Sequence, residues 1–142
     1  MWLDSPEIAA EAGQGQFVMV RCGEDTSLRR PLSIHQSDGN KIALLFSVVG
    51  KGTAWLSRCQ AGDNIDLFGP LGNGFSVQPT SKNLLLVAGG IGIAPLCFLA
   101  QEALIKDCRV TLLAGVQTAA CVYPERQLAP EINVICATDD GT

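Results

Sequence analysis

The sequence predicts a β barrel plus α/β architecture: a small antiparallel barrel followed by the first part of a doubly wound parallel sheet. Three observations carry that expectation. Up to about residue 80 the chain reads as short apolar strands separated by glycine and proline turns, the pattern of a small barrel. Beyond it, strand, helix, strand, weak helix and strand alternate, as in a parallel sheet with crossover helices. At the head of that second part stands Leu84-Leu-Leu-Val-Ala-Gly-Gly-Ile-Gly-Ile-Ala-Pro-Leu96, a buried strand running into a glycine turn. The expected division is 1–80 and 81–142.

Bulk composition excludes several classes. Hydrophobic residues make up 47% of the 142 and charged residues 17%, a globular balance rather than a disordered one. A net charge of −4 with scattered Lys and Arg gives no footprint for nucleic acid. The apolar runs are short and broken by Gly or Pro, so no membrane span is expected. Met1-Trp-Leu-Asp-Ser-Pro6 lacks the basic start and apolar centre of a signal peptide. Six cysteines stand at 22, 59, 97, 108, 121 and 136, with neither zinc nor iron–sulfur spacing. They read as mostly small buried hydrophobes in a reducing, cytoplasmic setting.

The first part justifies the barrel element by element. Met1 to Gly15 is polar and small, without clear period. Gln16 to Cys22 is strand-like and ends at Gly23 and an acidic turn, Glu24-Asp25. Arg30-Pro-Leu-Ser-Ile-His35 is a second strand, with a proline near its start where an edge or ligand-facing segment tolerates one. Ser37-Asp-Gly-Asn40 is a hairpin turn, and Lys41 to Val48 returns as a third strand. Gly50-Lys-Gly-Thr53 is a glycine turn, with Thr53 capping a short helix from Ala54 to Cys59. Ile65-Asp-Leu-Phe68 is a fourth strand, and Gly69-Pro-Leu-Gly-Asn-Gly74 a rigid loop.

In the second part, Gly90 and Gly92 remove the Cβ atoms that would hold a diphosphate away from the backbone. Pro95 suits the first position of the following helix, whose free N–H groups favour an anion. That helix runs from Ala94 to about Lys106, with Leu96, Leu99, Ala100, Ala103 and Leu104 on one face. Arg109 to Ala114 and Asn133 to Ala137 are further strands, with a weak helical stretch at Thr118-Ala-Ala120 interrupted by Tyr123 and Pro124. Three strands make a thin sheet with an exposed edge, so the chain reads as a fragment cut inside its second domain.

Candidate chemistry concentrates in the barrel. Arg30 and Ser33, ahead of the glycine turn at Thr53, offer a charge, a hydroxyl and backbone donors together, a set suited to a cofactor with a diphosphate and a polar ring system. His35 has no nucleophile or metal partner nearby in sequence and reads as a surface or strand-packing histidine. No paired carboxylates and no Ser–His–Asp order argue for hydrolysis, and no catalytic residue or metal ligand is assigned. Trp55, Phe46, Phe68 and Phe75 read as core aromatics before stacking partners.

Five motifs occur in one order: Arg30-Pro-Leu-Ser33, Val49-Gly-Lys-Gly-Thr53, Gly69-Pro-Leu-Gly-Asn-Gly-Phe75, Gly89-Gly-Ile-Gly-Ile-Ala-Pro-Leu96 and Ala137-Thr-Asp-Asp-Gly141. That order resembles the ferredoxin-reductase-like flavoproteins, and within them the electron-transfer subunits of class B dihydroorotate dehydrogenase. The resemblance implies FAD in the barrel, with Arg30, Pro31, Leu32 and Ser33 along the isoalloxazine and ribityl chain. Leu45, Phe46 and Ser47 would line it next, Ser47 standing where the family often carries a basic residue. Gly52 and Thr53 would meet the diphosphate. Gly89, Gly90, Gly92 and Pro95 would form the NAD side.

The resemblance further implies a [2Fe–2S] cluster, expected only in a missing C-terminal segment, and an FMN-containing dihydroorotate dehydrogenase catalytic subunit as partner. Electrons would pass from that partner to FAD and NAD, in pyrimidine biosynthesis. Two other readings stay open. One is the flavin subunit of a hydrogenase or of an NAD(P)H:ferredoxin oxidoreductase. The other is a non-catalytic nucleotide-binding or docking module.

Overall fold

The computed structural model describes residues 1–23 and 28–141. The acidic turn expected at Glu24-Asp25 lies outside the described residues, as does Thr142. Five strands, β1 (Trp2–Asp4), β2 (Phe17–Val20), β3 (Arg30–Asp38), β4 (Lys41–Leu44) and β5 (Leu67–Leu71), form one antiparallel sheet in the order β1-β4-β3-β2-β5. Two short helices, α1 (Pro6–Glu11) and α2 (Lys51–Leu56), lie between them in sequence. A second sheet holds β6 (Asn83–Gly89), β7 (Arg109–Val116) and β8 (Asn133–Thr138), all parallel, with α3 (Ile93–Ile105) crossing from β6 to β7.

The long strand β3 makes the first sheet a half-barrel. Its beginning, Arg30 to Ser33, pairs with β2, and its end, Ile34 to Asp38, pairs with β4. A register shift between Ile34 and Gln36 marks the change of partner. Such an irregularity bends the strand and increases its twist. The β3–β4 hairpin closes on the Asp38↔Lys41 pair, with Gly39 at φ 56° in the first turn position, where a two-residue hairpin favours glycine.

Several boundaries depart from the sequence expectation. The strand expected over Lys41–Val48 ends at Leu44, because its ladder with β3 stops at the Ile34↔Leu44 pair. Leu45 to Val49 therefore runs on without a ladder partner. The strand expected over Ile65–Phe68 instead spans Leu67–Leu71 and takes in Pro70 from the supposed loop. It is an edge strand, where a missing N–H costs no ladder bond. β1 and α1 arise from a stretch read as aperiodic. Ser5 at the N-cap, Pro6 at the first helical position and Glu7 in the first turn are the signals that identify α1.

Two apolar clusters fill the molecule, and α3 belongs to both. Its Phe98 packs with Val18, Val20, Ile34 and Leu56 of the half-barrel. Its Ile93, Cys97, Leu99, Ala100 and Ala103 pack with Leu86, Val110 and Leu112 of the parallel sheet. The single apolar face expected for this helix is therefore wrong: α3 is wedged between two sheets and buried on two sides. Cys22, Cys97 and Cys108 are buried, Cys59 is half-buried, and Cys121 and Cys136 are exposed, so only three of the six behave as core residues.

Candidate functional site: two cavities sharing a wall

Leu45 to Ser47 leaves the half-barrel after β4, and together with Ile91 of the turn after β6 it borders two cavities. The first, about 350 Å³, is lined from the half-barrel by Pro31, Leu32, Ser33 and Thr53. From the other sheet it receives Gly92, Ala94 and Pro95. The second, about 740 Å³, lies over the C-terminal ends of the parallel strands, with Gly89 and Gly90 from β6 and its turn and Gly115 from β7. Tyr123, Cys121 and Asp139 close it from the loops after β7 and β8. Leu45, Phe46, Ser47 and Ile91 line both cavities. The end of a parallel sheet's strands is where open α/β folds take ligands.

The glycines of the turn face open space. A Cβ on Gly89, Gly90 or Gly92 would meet no other atom within 4 Å. At Gly89 and Gly92 neither packing nor backbone conformation demands glycine, whereas Gly90 takes a left-handed φ of 50° that itself favours it. The turn itself, Gly90–Gly92, is a 3-10 turn that feeds directly into α3. α3 therefore begins at Ile93, and Pro95 is its third residue rather than its first. Its missing N–H still falls in the first turn, where amides have no intrahelical partner.

Around α2 the expected helix cap moves. The N-cap is Gly50, and Thr53 lies one turn into the helix. The Thr53 hydroxyl accepts from the amides of Val49 (3.0 Å) and Gly50 (3.2 Å), so it fixes the glycine turn from inside. Gly52 lines neither cavity. It is buried, and a Cβ on it would stand 3.2 Å from the Cβ of Cys22 and 3.5 Å from Nε of Arg30. Its structural role is to let α2 pack against Cys22 and the Arg30 side chain. The Arg30 side chain is exposed, makes no hydrogen bond or ion pair among the described residues, and lines neither cavity. Arg29 beside it is committed: it grips Asp66 through two contacts of 2.9 and 2.7 Å. That pairing holds the Asp66 carboxyl below its ordinary pKa.

The expectation that aromatics serve mainly as core is met only in part. Phe46 lines the shared wall and Trp55 packs under Gly23, but Phe68 is exposed. Phe75 covers Gly15. The Gly69–Phe75 motif has a structural job, since Phe75 and Gly72 are bonded to Gln14 and Gln16. His35 is 5% exposed, the only polar residue in the core among the described residues. Sequence reading missed Tyr123, Cys121 and Asp139 as cavity residues. Asp139 alone had a signal, its place in the Ala137–Gly141 motif. Among the described residues no group of three metal-ligating side chains comes together. The two cavities offer, among the described residues, shape and backbone groups, which suits binding and juxtaposing ligands.

No protein-family model matches the chain. It resembles electron transfer subunits of dihydroorotate dehydrogenase B (NAD(+)) along its length. The subunit of Desulforamulus reducens is 46% identical, the match covering all of this chain and 56% of the relative. That of Clostridium acetobutylicum is 45% identical over 93% of this chain and 53% of the relative. The chain thus spans about half the length of these relatives. Among solved structures, an NADH-dependent reduced ferredoxin–NADP oxidoreductase superposes with TM-score 0.86 at 31% identity, over 97% of this chain and 51% of that one. An Amycolatopsis cytochrome P450 reductase gives TM-score 0.73 at 26% identity, over 89% and 43% of the two chains. The fold is that of the ferredoxin–NADP reductases, as the sequence motifs implied.

Proposed function

We propose that this chain, related along its length to dihydroorotate dehydrogenase B electron transfer subunits, holds FAD and NAD side by side in an electron-transfer subunit. One observation carries the reading: two cavities of ligand size share the wall Leu45, Phe46, Ser47 and Ile91. The residues fit the two groups. Pro31, Leu32, Ser33 and Gly92 surround the smaller cavity, which would take the flavin ring. Arg30, uncommitted and beside α2, would meet the flavin diphosphate, whereas Gly52 and Thr53 shape the turn that presents it. Gly89 and Gly90, open above the strand ends, would let the dinucleotide approach the backbone.

Flavin supplies the ability to exchange a hydride with nicotinamide and single electrons with other centres. The chain's own task is to hold two flat rings in contact across the shared wall and to keep water out of the gap. The partner we propose is an FMN-containing dihydroorotate dehydrogenase catalytic subunit in a cytoplasmic, reducing setting, serving pyrimidine biosynthesis. A [2Fe–2S] cluster between them would be held outside the described residues, which lack a ligand set for it. No described helix is long and apolar enough to cross a membrane.

Purification with added FAD tests the reading: a yellow protein with a flavin spectrum, reducing a dye from NADH, is expected. A colourless protein that retains no flavin overturns it. The 0.86 TM-score to a ferredoxin–NADP oxidoreductase favours a second reading, a flavin subunit serving ferredoxin. Co-purification with a dihydroorotate-oxidising subunit supports the first reading, and reduction of ferredoxin the second.

A further inference from the structure

Thr118 to Leu128, the segment after β7, carries much of the outer wall of the larger cavity, including Cys121, Val122, Tyr123 and Pro124. Its own hydrogen bonds are local. Cys121 bonds to Thr118, Val122 to Ala119, Gln127 to Pro124 and Leu128 to Glu125. Among the described residues, one hydrogen bond ties it to anything else: the Tyr123 hydroxyl meets Nε2 of His35 at 2.9 Å. His35 sits on β3 of the half-barrel and lines neither cavity. Its other ring nitrogen, Nδ1, lies 2.9 Å from the Ala94 carbonyl in the first turn of α3. A carbonyl only accepts, so Nδ1 carries the proton and Nε2 accepts from Tyr123. The rings also meet edge to face, 5.4 Å apart at 67°. Between described residues of the two sheets' halves of the chain, these are the only side-chain hydrogen bonds.

We infer that His35 is a positioning residue for the dinucleotide cavity, tethering Tyr123 so that the Cys121–Pro124 wall stays aligned with Leu45–Ser47. This inference rests on the reading of that cavity as the NAD side. It goes beyond it by assigning nucleotide affinity to a histidine that touches no ligand. Two ring nitrogens with fixed roles make the tether directional. The proton on Nδ1 locks the imidazole onto α3, and the lone pair on Nε2 holds the hydroxyl proton of Tyr123. Loss of either partner leaves the other as a buried polar group without its bond, a cost the segment relieves by moving away.

The test uses the flavin-loaded full chain with NADH and ADP-ribose as probes, in His35→Gln, His35→Leu, Tyr123→Phe and the Leu/Phe double variant. Dissociation constants for both probes are expected to rise about tenfold in His35→Leu and Tyr123→Phe, with flavin content unchanged. The double variant should be no worse than either single one, because one tether is lost. Glutamine, which keeps an acceptor for Tyr123, should restore most of the affinity. Amide exchange over Thr118–Leu128 should quicken in Tyr123→Phe with or without nucleotide. Unchanged affinity and unchanged exchange in Tyr123→Phe overturn the tether while leaving the NAD reading intact. Absence of binding by the unsubstituted protein overturns both. If His35→Leu fails to fold, Tyr123→Phe and the exchange measurement still decide.

Discussion

Gly69 lies so close to Val18 that a Cβ on it would stand 2.9 Å from the Val18 Cγ1 and 3.1 Å from the Phe17 carbonyl oxygen. Val18 is fully buried, and the register between β2 and β5 shifts at this point. The edge strand is thus pressed onto its neighbour where only a hydrogen fits. Gly69→Ala should destabilise the chain by about 1–3 kcal/mol, the usual cost of overpacking a core. Denaturant melts of the two proteins check it, and an unchanged midpoint contradicts the packing account.

Gly92 is the opposite case. Nothing lies within 4 Å of its Cβ position, and its φ of −59° is ordinary for alanine. It immediately precedes α3 in a right-handed conformation that alanine adopts without strain, where replacing glycine gains about 0.4–1 kcal/mol by restricting the unfolded chain. Gly92→Ala should therefore melt at or above the parent's temperature while retaining less FAD, because the methyl group enters the smaller cavity. Full flavin content at the same ratio as the parent removes the ligand-based reason for glycine there.

These two glycines show what could be read from the sequence. Both stand in glycine-rich motifs; the ordered motifs identify the fold, and the resemblance they carry names Pro31 to Ser33 and Leu45 to Ser47, which line the cavities. The sequence does not distinguish a glycine crowded by protein from one facing space, since that depends on which strand lies beside it. That Gly52 packs on Cys22 and that Thr53 braces the Val49 amide from inside the helix could not be read for the same reason: those neighbours are set by packing. His35 and Tyr123 are 88 residues apart, and no local pattern announces a bond of that span.

Arg30 is exposed and uncommitted, so its removal should cost the empty fold little, within about 0.5 kcal/mol. A guanidinium facing a diphosphate contributes far more to binding than to folding. Arg30→Ala should weaken FAD binding roughly tenfold to hundredfold, as expected for a hydrogen bond to a charged group. Arg30→Lys keeps the charge without the planar fork and should fall between the two. His35→Ala should retain more flavin than Arg30→Ala. Flavin titration followed by fluorescence measures all three, and equal flavin affinity in the Arg30→Ala and His35→Ala proteins would show that Arg30 is only a surface charge.

The imidazole of His35 also predicts how stability responds to acid. Burial pushes its pKa below the ordinary value; the bond to the Ala94 carbonyl opposes this, and the nearby amino group of Met1 adds to it. The folded state therefore resists a proton that the unfolded chain takes up near pH 6.5. With the folded pKa the lower of the two, the stabilisation is present above about pH 6.5 and is lost as the pH falls below it. Protonation would also put a hydrogen on Nε2, forcing Tyr123 to turn its hydroxyl proton away. Tyr123, with a pKa raised to about 12 by burial and then by Cys97, stays protonated throughout this range. Urea melts from pH 8 to pH 5 should show stability falling on the acid side, and His35→Gln should flatten that part of the decline. Parallel profiles for the two proteins would mean that the carboxylates alone set the acid response.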